Sequence, residues 1–179
     1  MNSIEIHTKR LVLRPLSLKY LETVHEYASD IENAKYMVRL PNENIEETRA
    51  FLLSVENEWS KEDPEFFEFA IMYNNNQIGA VSVYVENGSG ELGWIINKKC
   101  WNQGFAFESA LALIGFAKQK LGLTHFIANC DVENVGSYRV MEKLGMVRTG
   151  EYGGRKNKSS DDERREYRYE LSCDLPKIQ

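Results

Sequence analysis

The sequence predicts a mixed α/β sheet with helices packed on both faces. Two observations carry this. Turn residues separate three short apolar runs between Phe66 and Ile96, the pattern of an antiparallel meander. A strand–helix–strand crossover follows, from Glu91 through an apolar helix to Cys130, which adds a parallel pairing to that meander. With the flanking segments, the expected order is β-αα-βββ-α-β-α-β-β.

The elements follow from local chemistry. Ile4 to Arg14 is rich in strand formers, with Leu11 and Leu13 alternating against Val12 and Arg14, and Pro15 ends it. Ser17 is placed to cap a helix through about Ser29, with Leu18, Leu21, Val24, His25 and Ala28 at helical spacing. After Pro41 a second helix is expected from about Ile45 to Trp59. A polar loop holding Tyr36, Met37 and Arg39 lies between the two. Phe66–Tyr73 and Gln77–Val85 flank Asn74-Asn75-Asn76, a strong hairpin signal. The run from Glu86 to Gly90 is the next turn, and Glu91–Ile96 returns as the third strand. Phe105 to Leu121 reads as a helix with Ala110, Leu113, Ile114 and Ala117 on one face, stopped by Gly122. His125–Cys130 is a strand, and Asn134 opens a helix ending at Leu144-Gly145. Strands near Val147–Glu151 and Tyr167–Ser172 are expected last, joined by a charged loop.

A chain of 179 residues with evenly spread apolar content suits one domain over residues 1–179. The net charge of −5 argues against a nucleic-acid partner, which needs a basic face. Arg164, Arg165 and Arg168 alternate with Glu163, Glu166 and Glu170, as on a solvated strand face. Cys100, Cys130 and Cys173 are scattered, without metal-ligand spacing, which fits a reducing compartment. His7, His25 and His125 show neither metal nor triad spacing, so no metal is expected. The N-terminal MNSIEIHTKRLVLRPL lacks a long apolar core, and no run approaches a membrane span. A cytoplasmic protein without a membrane partner is the expectation.

The most informative junction is at Gly104, where a loop turns directly into the helix beginning Phe105-Ala106-Phe107-Glu108. A helix start leaves backbone N–H groups unpaired, and the dipole behind them favours phosphate or pyrophosphate. No Gly-x-Gly-x-x-Gly with a following ribose-binding acid is present, so the dinucleotide reading fails.

Three stretches, TKRLVLRPLS, ELGWIINKKCWNQGFAFESALAL and DVENVGSYRVMEKLGM, carry a resemblance. The chain resembles the GCN5-related N-acetyltransferase (GNAT) superfamily, in the branch of ribosomal-protein-alanine N-acetyltransferases, over about Thr8 to Arg148. The resemblance implies acetyl-coenzyme A as acyl donor and an amine as acceptor. It implies that Gln103, Gly104, Phe105, Ala106 and Phe107 bind the pyrophosphate, mainly through backbone. Backbone groups near Ile95, Ile96 and Asn97 would hold the pantetheine arm where their strand splays from the next, Asn134 would touch the arm, and Lys143 would meet a phosphate. Trp101 departs from the polar residue usual at the start of the loop motif. The resemblance also leaves room for a homodimer paired through the C-terminal strands.

For catalysis, attack on a thioester needs a neutral amine, and Glu91, on the strand face of Gly93 and Ile95, is the candidate base, with Glu68 next. Ser137, three residues after Asn134, is the candidate acid. Many relatives carry a Tyr seven residues after the Asn, and this chain has Met141 there. Three acceptor readings stay open: a protein N-terminus such as that of a ribosomal protein, a small amine such as a polyamine or aminoglycoside, or no acceptor in a non-catalytic acyl-coenzyme A sensor. The acidic segments Asp30–Glu32 and Asn42–Glu47 favour a cationic acceptor.

Overall fold

The computed structural model describes residues 4–174; residues 1–3 and 175–179, included in the single-domain expectation, lie outside the described residues. The chain begins with two short strands, β1 (Ile6–His7) and β2 (Val12–Pro15), rather than the one expected over Ile4–Arg14. The break has a side-chain cause. The Thr8 hydroxyl accepts the Leu11 amide at 2.8 Å, and the Glu108 carboxylate accepts the Arg10 amide at 2.8 Å, so neither N–H can join a strand ladder.

A 3₁₀ turn (Leu18–Tyr20) leads into α1 (Leu21–Ala28). Ser17 makes no side-chain cap here. The Leu18 amide donates instead to the Glu56 carboxylate at 2.8 Å. That carboxylate belongs to α2 (Ile45–Trp59), whose own start is capped by Asn44 accepting from the Glu47 amide. Next come β3 (Phe66–Tyr73), β4 (Asn76–Glu86) and β5 (Ser89–Ile96). Asn74 and Asn75 both adopt positive φ, 47° and 65°, the left-handed geometry of a tight two-residue hairpin turn. The rest is α3 (Phe105–Lys120), β6 (His125–Asp131), α4 (Val135–Lys143), β7 (Val147–Lys156) and β8 (Glu163–Ser172).

The last hairpin is far longer than the sequence pattern suggested. Much of the expected charged loop is strand, because cross-strand pairs such as Arg165–Glu151 and Arg155–Glu166 specify it without apolar alternation.

The strands form one sheet in the order β1-β2-β3-β4-β5-β6-β8-β7. One core packs α3 and α4 onto one face, through Leu13, Phe69, Val81, Leu113, Phe126 and Met141 among others. A second core packs α1 and α2 onto the other, through Val24, Tyr27, Leu52, Val55 and Ala70. Only β5 and β6 run parallel. They pair from Ser89–Glu91 to His125–Ile127 and no further. Beyond Glu91 the two strands diverge, and the sheet opens between its helical layers.

Candidate active site

On the α3 side of the sheet, Gly104 holds φ at +80°, a left-handed conformation that glycine adopts without strain. The first intrahelical bond of α3 runs from the Glu108 amide to the Gly104 carbonyl at 3.0 Å. The amides of Phe105, Ala106 and Phe107 therefore precede the ladder and face out of the helix end. Two cations flank them. The Lys143 ammonium lies 4.4 Å from the centre of the Phe107 ring, which brings the end of α4 beside the start of α3. The Arg10 guanidinium lies 4.6 Å from the centre of Phe105 and bonds Glu108 at 2.7 Å. Burial raises the Glu108 pKa, but bonds from Thr8 and Arg10 outweigh it and hold the carboxyl below its usual range. Sequence reasoning named Lys143 and missed Arg10, whose only signal was its place inside TKRLVLRPLS.

The start of α4, about 13 Å along the helix from Lys143, offers a separate set of polar groups. Asn134 caps the helix by accepting the Ser137 amide at 3.2 Å, which leaves its side-chain NH₂ as the outward donor. The Ser137 hydroxyl shares a hydrogen bond with the thiol of Cys130, and burial pushes that thiol up to about 11. Met141 is 1% exposed and belongs to the core. Tyr138 stacks edge-on against Tyr167, on the flank of α4 away from α3. Helix α4 therefore brings no phenol to the cradle.

Ile95, Ile96 and Asn97 do not act as a consecutive trio. The Asn97 amide bonds the Ile78 carbonyl at 2.8 Å, and the carbonyl of Ile95 is packed against Gly79, so both residues turn their polar backbone toward β4. By the two-residue period of a strand, Trp94 and Ile96 are the ones that face the opening toward β6. The Ile96 carbonyl is already held by Asn33 Nδ2 at 3.0 Å and Trp101 Nε1 at 2.8 Å. Asn97 instead caps the following 3₁₀ turn (Lys98–Cys100).

The opposite face of the opening carries the acidic candidates. Glu91 is exposed and accepts from Asn129 Nδ2 at 3.1 Å, a bond that spans the two strands just where they part. Glu68, Ser82 and Gly93 stand side by side on β3, β4 and β5. A Cβ on Gly93 would come within 2.9 Å of the Ser82 hydroxyl, so the glycine leaves room in front of that serine. Glu68 is 8% exposed, and burial, partly offset by a hydrogen bond from Ser82, pushes its carboxyl up to about 8. It therefore carries a proton at neutral pH.

Above this face runs the connection from α1 to α2, residues 30–44. Asn33 ties it to the end of β5 by donating to Ile96 and accepting the Lys98 amide at 2.6 Å. The β7–β8 hairpin ties it on the other side, through the Lys158 amide to the Met37 carbonyl and the Ser159 hydroxyl to the Lys35 carbonyl. The acidic segments that seemed to invite a cation are already engaged in part: Lys98 pairs with Asp30 and Glu32, Lys158 with Glu47, and Arg49 with Glu46. His125, without any motif around it, bridges Ser89 and Glu170 at 2.9 Å each on the same open face.

The splayed parallel pair thus has two helix N-termini on one face and acids on the other. A family model for an acetyltransferase (GNAT) domain matches residues 10–147, and the chain belongs to that family. It is an N-acetyltransferase, as its relatives are. The uncharacterized N-acetyltransferase YnaD of Bacillus subtilis (strain 168) is 34% identical over 152 residues, 82% of this chain and 85% of its own. A GNAT-family acetyltransferase from Bacillus anthracis superposes with a TM-score of 0.80 at 31% identity, covering 94% of this chain and 98% of its own. The ribosomal L7/L12 alpha-N-protein acetyltransferase RimL, in complex with coenzyme A, shares the fold with a TM-score of 0.85 at 18% identity, covering 97% of this chain and all (100%) of its own. No described helix is long and apolar enough to cross a membrane.

Proposed function

We propose that this chain transfers the acetyl group of acetyl-coenzyme A directly to a primary amine that approaches from the α1–α2 face. The observation that carries the reading is the opening beyond Glu91 and Ile127, which joins a phosphate cradle on one face to carboxylates on the other. Acetyl-coenzyme A supplies an activated thioester carbonyl. The residues fit that donor: the Phe105–Phe107 amides with Arg10 and Lys143 suit a pyrophosphate, Gln103 sits on the rim of that loop, and Trp94, Ile96 and Asn134 offer polar groups to an arm.

Glu91 takes the proton of the ammonium, directly or through water, as the nitrogen attacks. The amide groups of Trp94 and Ile96 stand where a thioester oxygen can be polarised. Ser137 is the nearest hydroxyl on α4 for returning a proton to the departing sulfur, and its partnership with Cys130 orients it. Glu68, protonated at neutral pH, shapes the floor instead of serving as base.

The acceptor we favour is the amino terminus of a peptide. Within residues 30–44, Asp30, Glu32 and Glu43 are offset by Lys35, Arg39 and the pairing Lys98, so the α1–α2 connection offers no surplus of negative charge to a polycation, whereas the partly exposed strands β5, β6 and β8 suit an extended chain. The test is thiol release from acetyl-coenzyme A against N-terminal peptides, spermidine and an aminoglycoside. Turnover on peptides supports the reading. Turnover on spermidine alone reassigns the acceptor, and coenzyme binding without turnover on any amine makes the chain a sensor.

A further inference from the structure

Between the two faces runs a continuous chain of polar contacts, centred on the buried Asp131 and Asn157. It starts at the turn into α4, where the Asn134 amide bonds the Asp131 carbonyl at 2.9 Å and the Glu133 amide bonds Asp131 Oδ1 at 2.9 Å. Asp131 is fully buried, 0% exposed, and also accepts from Arg164 Nε and Nη2, both at 2.9 Å. Its Oδ2 accepts Asn157 Nδ2 at 2.7 Å, and Asn157 Oδ1 accepts Arg155 Nε at 2.9 Å. Arg155 then reaches the α1–α2 connection, donating from Nη2 to the Tyr36 carbonyl at 2.7 Å, while Nη1 pairs with Glu166 at 2.8 Å.

Every nitrogen of the Arg155 guanidinium is committed, each to a different element. Away from water such bonds strengthen one another, and a shift at one end leaves a buried group unpaired at the other. The α1–α2 connection is the compliant end. Residues 30–44 form no helix or strand, and Ile31 and Val38 face solvent, so polar contacts from Asn33, Asn42 and the hairpin do most of the holding. Such a segment opens at low cost compared with the sheet beneath it.

We propose that Arg155 is a positioning residue that couples the coenzyme end of α4 to the strap formed by residues 30–44, so that donor binding at Asn134 firms the acceptor side. The inference rests on the donor reading given above. The Asp131–Arg164 pair is the fixed anchor of this chain, and Arg155 is its adjustable link.

The experiment is hydrogen–deuterium exchange of the strap with and without coenzyme A, beside calorimetry of coenzyme A binding, on the full chain. In the wild type, coenzyme A is expected to slow exchange in residues 30–44 by about fivefold or more, the lower end of ordinary coupling between sites. Arg155→Met is expected to bind coenzyme A within about twofold of wild type and to lose that protection. Arg155→Lys keeps the charge and the stem for folding, yet one ammonium cannot serve both Tyr36 and Asn157, so it too should lose the response. Binding without any strap response in the wild type, or a full response in Arg155→Lys, overturns the coupling alone. No binding by the folded wild type overturns the donor reading and this inference together.

Discussion

The two faces of the opening are built by different means. On the α3–α4 face, the groups that suit a coenzyme are backbone amides at helix ends, set by Gly104 and Asn134 and framed by Arg10 and Lys143. On the α1–α2 face, the groups that suit an amine are side chains from β3, β4, β5 and β6, roofed by a connection tied to β5 through Asn33 and to the β7–β8 hairpin through Tyr36. The donor side depends on local conformation and tolerates sequence change around it. The acceptor side depends on which side chains meet across strands, so it is where relatives with one fold can diverge in substrate.

The largest test of this contrast is Gly104→Glu. A side chain at φ +80° is strained, and its carboxylate would lie where a phosphate belongs, beside Arg10. Coenzyme A affinity should fall about a hundredfold or more, about 3 kcal/mol, by calorimetry, while the acceptor face is untouched. Affinity near the wild-type value would remove the loop from the site.

Glu91→Gln probes the other face. The turnover number should fall roughly a hundredfold, most at low pH where the amine holds its proton, with coenzyme A affinity preserved. Unchanged kinetics would take Glu91 out of the mechanism. A smaller effect is expected for Lys143→Ala, about 1 kcal/mol in coenzyme A affinity. That loss should shrink in high salt, because the ammonium is exposed. A salt-independent loss would mean that Lys143 acts through packing on Phe107.

A separate effect is on stability rather than on binding or rate. The Glu68 carboxyl is raised in the folded chain to about 8 from an ordinary value of 4.5. Between these values the folded state holds a proton that the unfolded state has lost, so stability falls as pH rises through that window. Thermal melting from pH 5 to 8 should show this decline in the wild type and much less of it in Glu68→Gln, which remains active. A Glu68→Gln enzyme as slow as Glu91→Gln would move the base to Glu68.

The starts of α3 and α4 were legible in the sequence, and the reason is physical. A loop-to-helix junction at Gly104 and an Asn cap at 134 are local events written in neighbouring residues. The boundaries of α2 and β3 were legible for the same reason, since burial patterns and turn residues mark them. Arg10 was not, because its role comes from Glu108, nearly a hundred positions away. The β7–β8 hairpin was underestimated because its strands are held by charged pairs instead of apolar alternation.

By itself the sequence determined the mixed sheet, the starts of α2, α3 and α4 and the class of chemistry they suit, since each rests on residues close in the chain. Only the tertiary structure decided the rest. It turned Trp94 and Ile96 toward the opening, and it set Glu91 against Asn129 at the point where the strands part. It also pushed the Glu68 carboxyl up by burying it, and linked Asp131 to Tyr36 through Arg155. Strand register, burial and contacts between distant segments settle these, and none of them is a property of a stretch of sequence read alone.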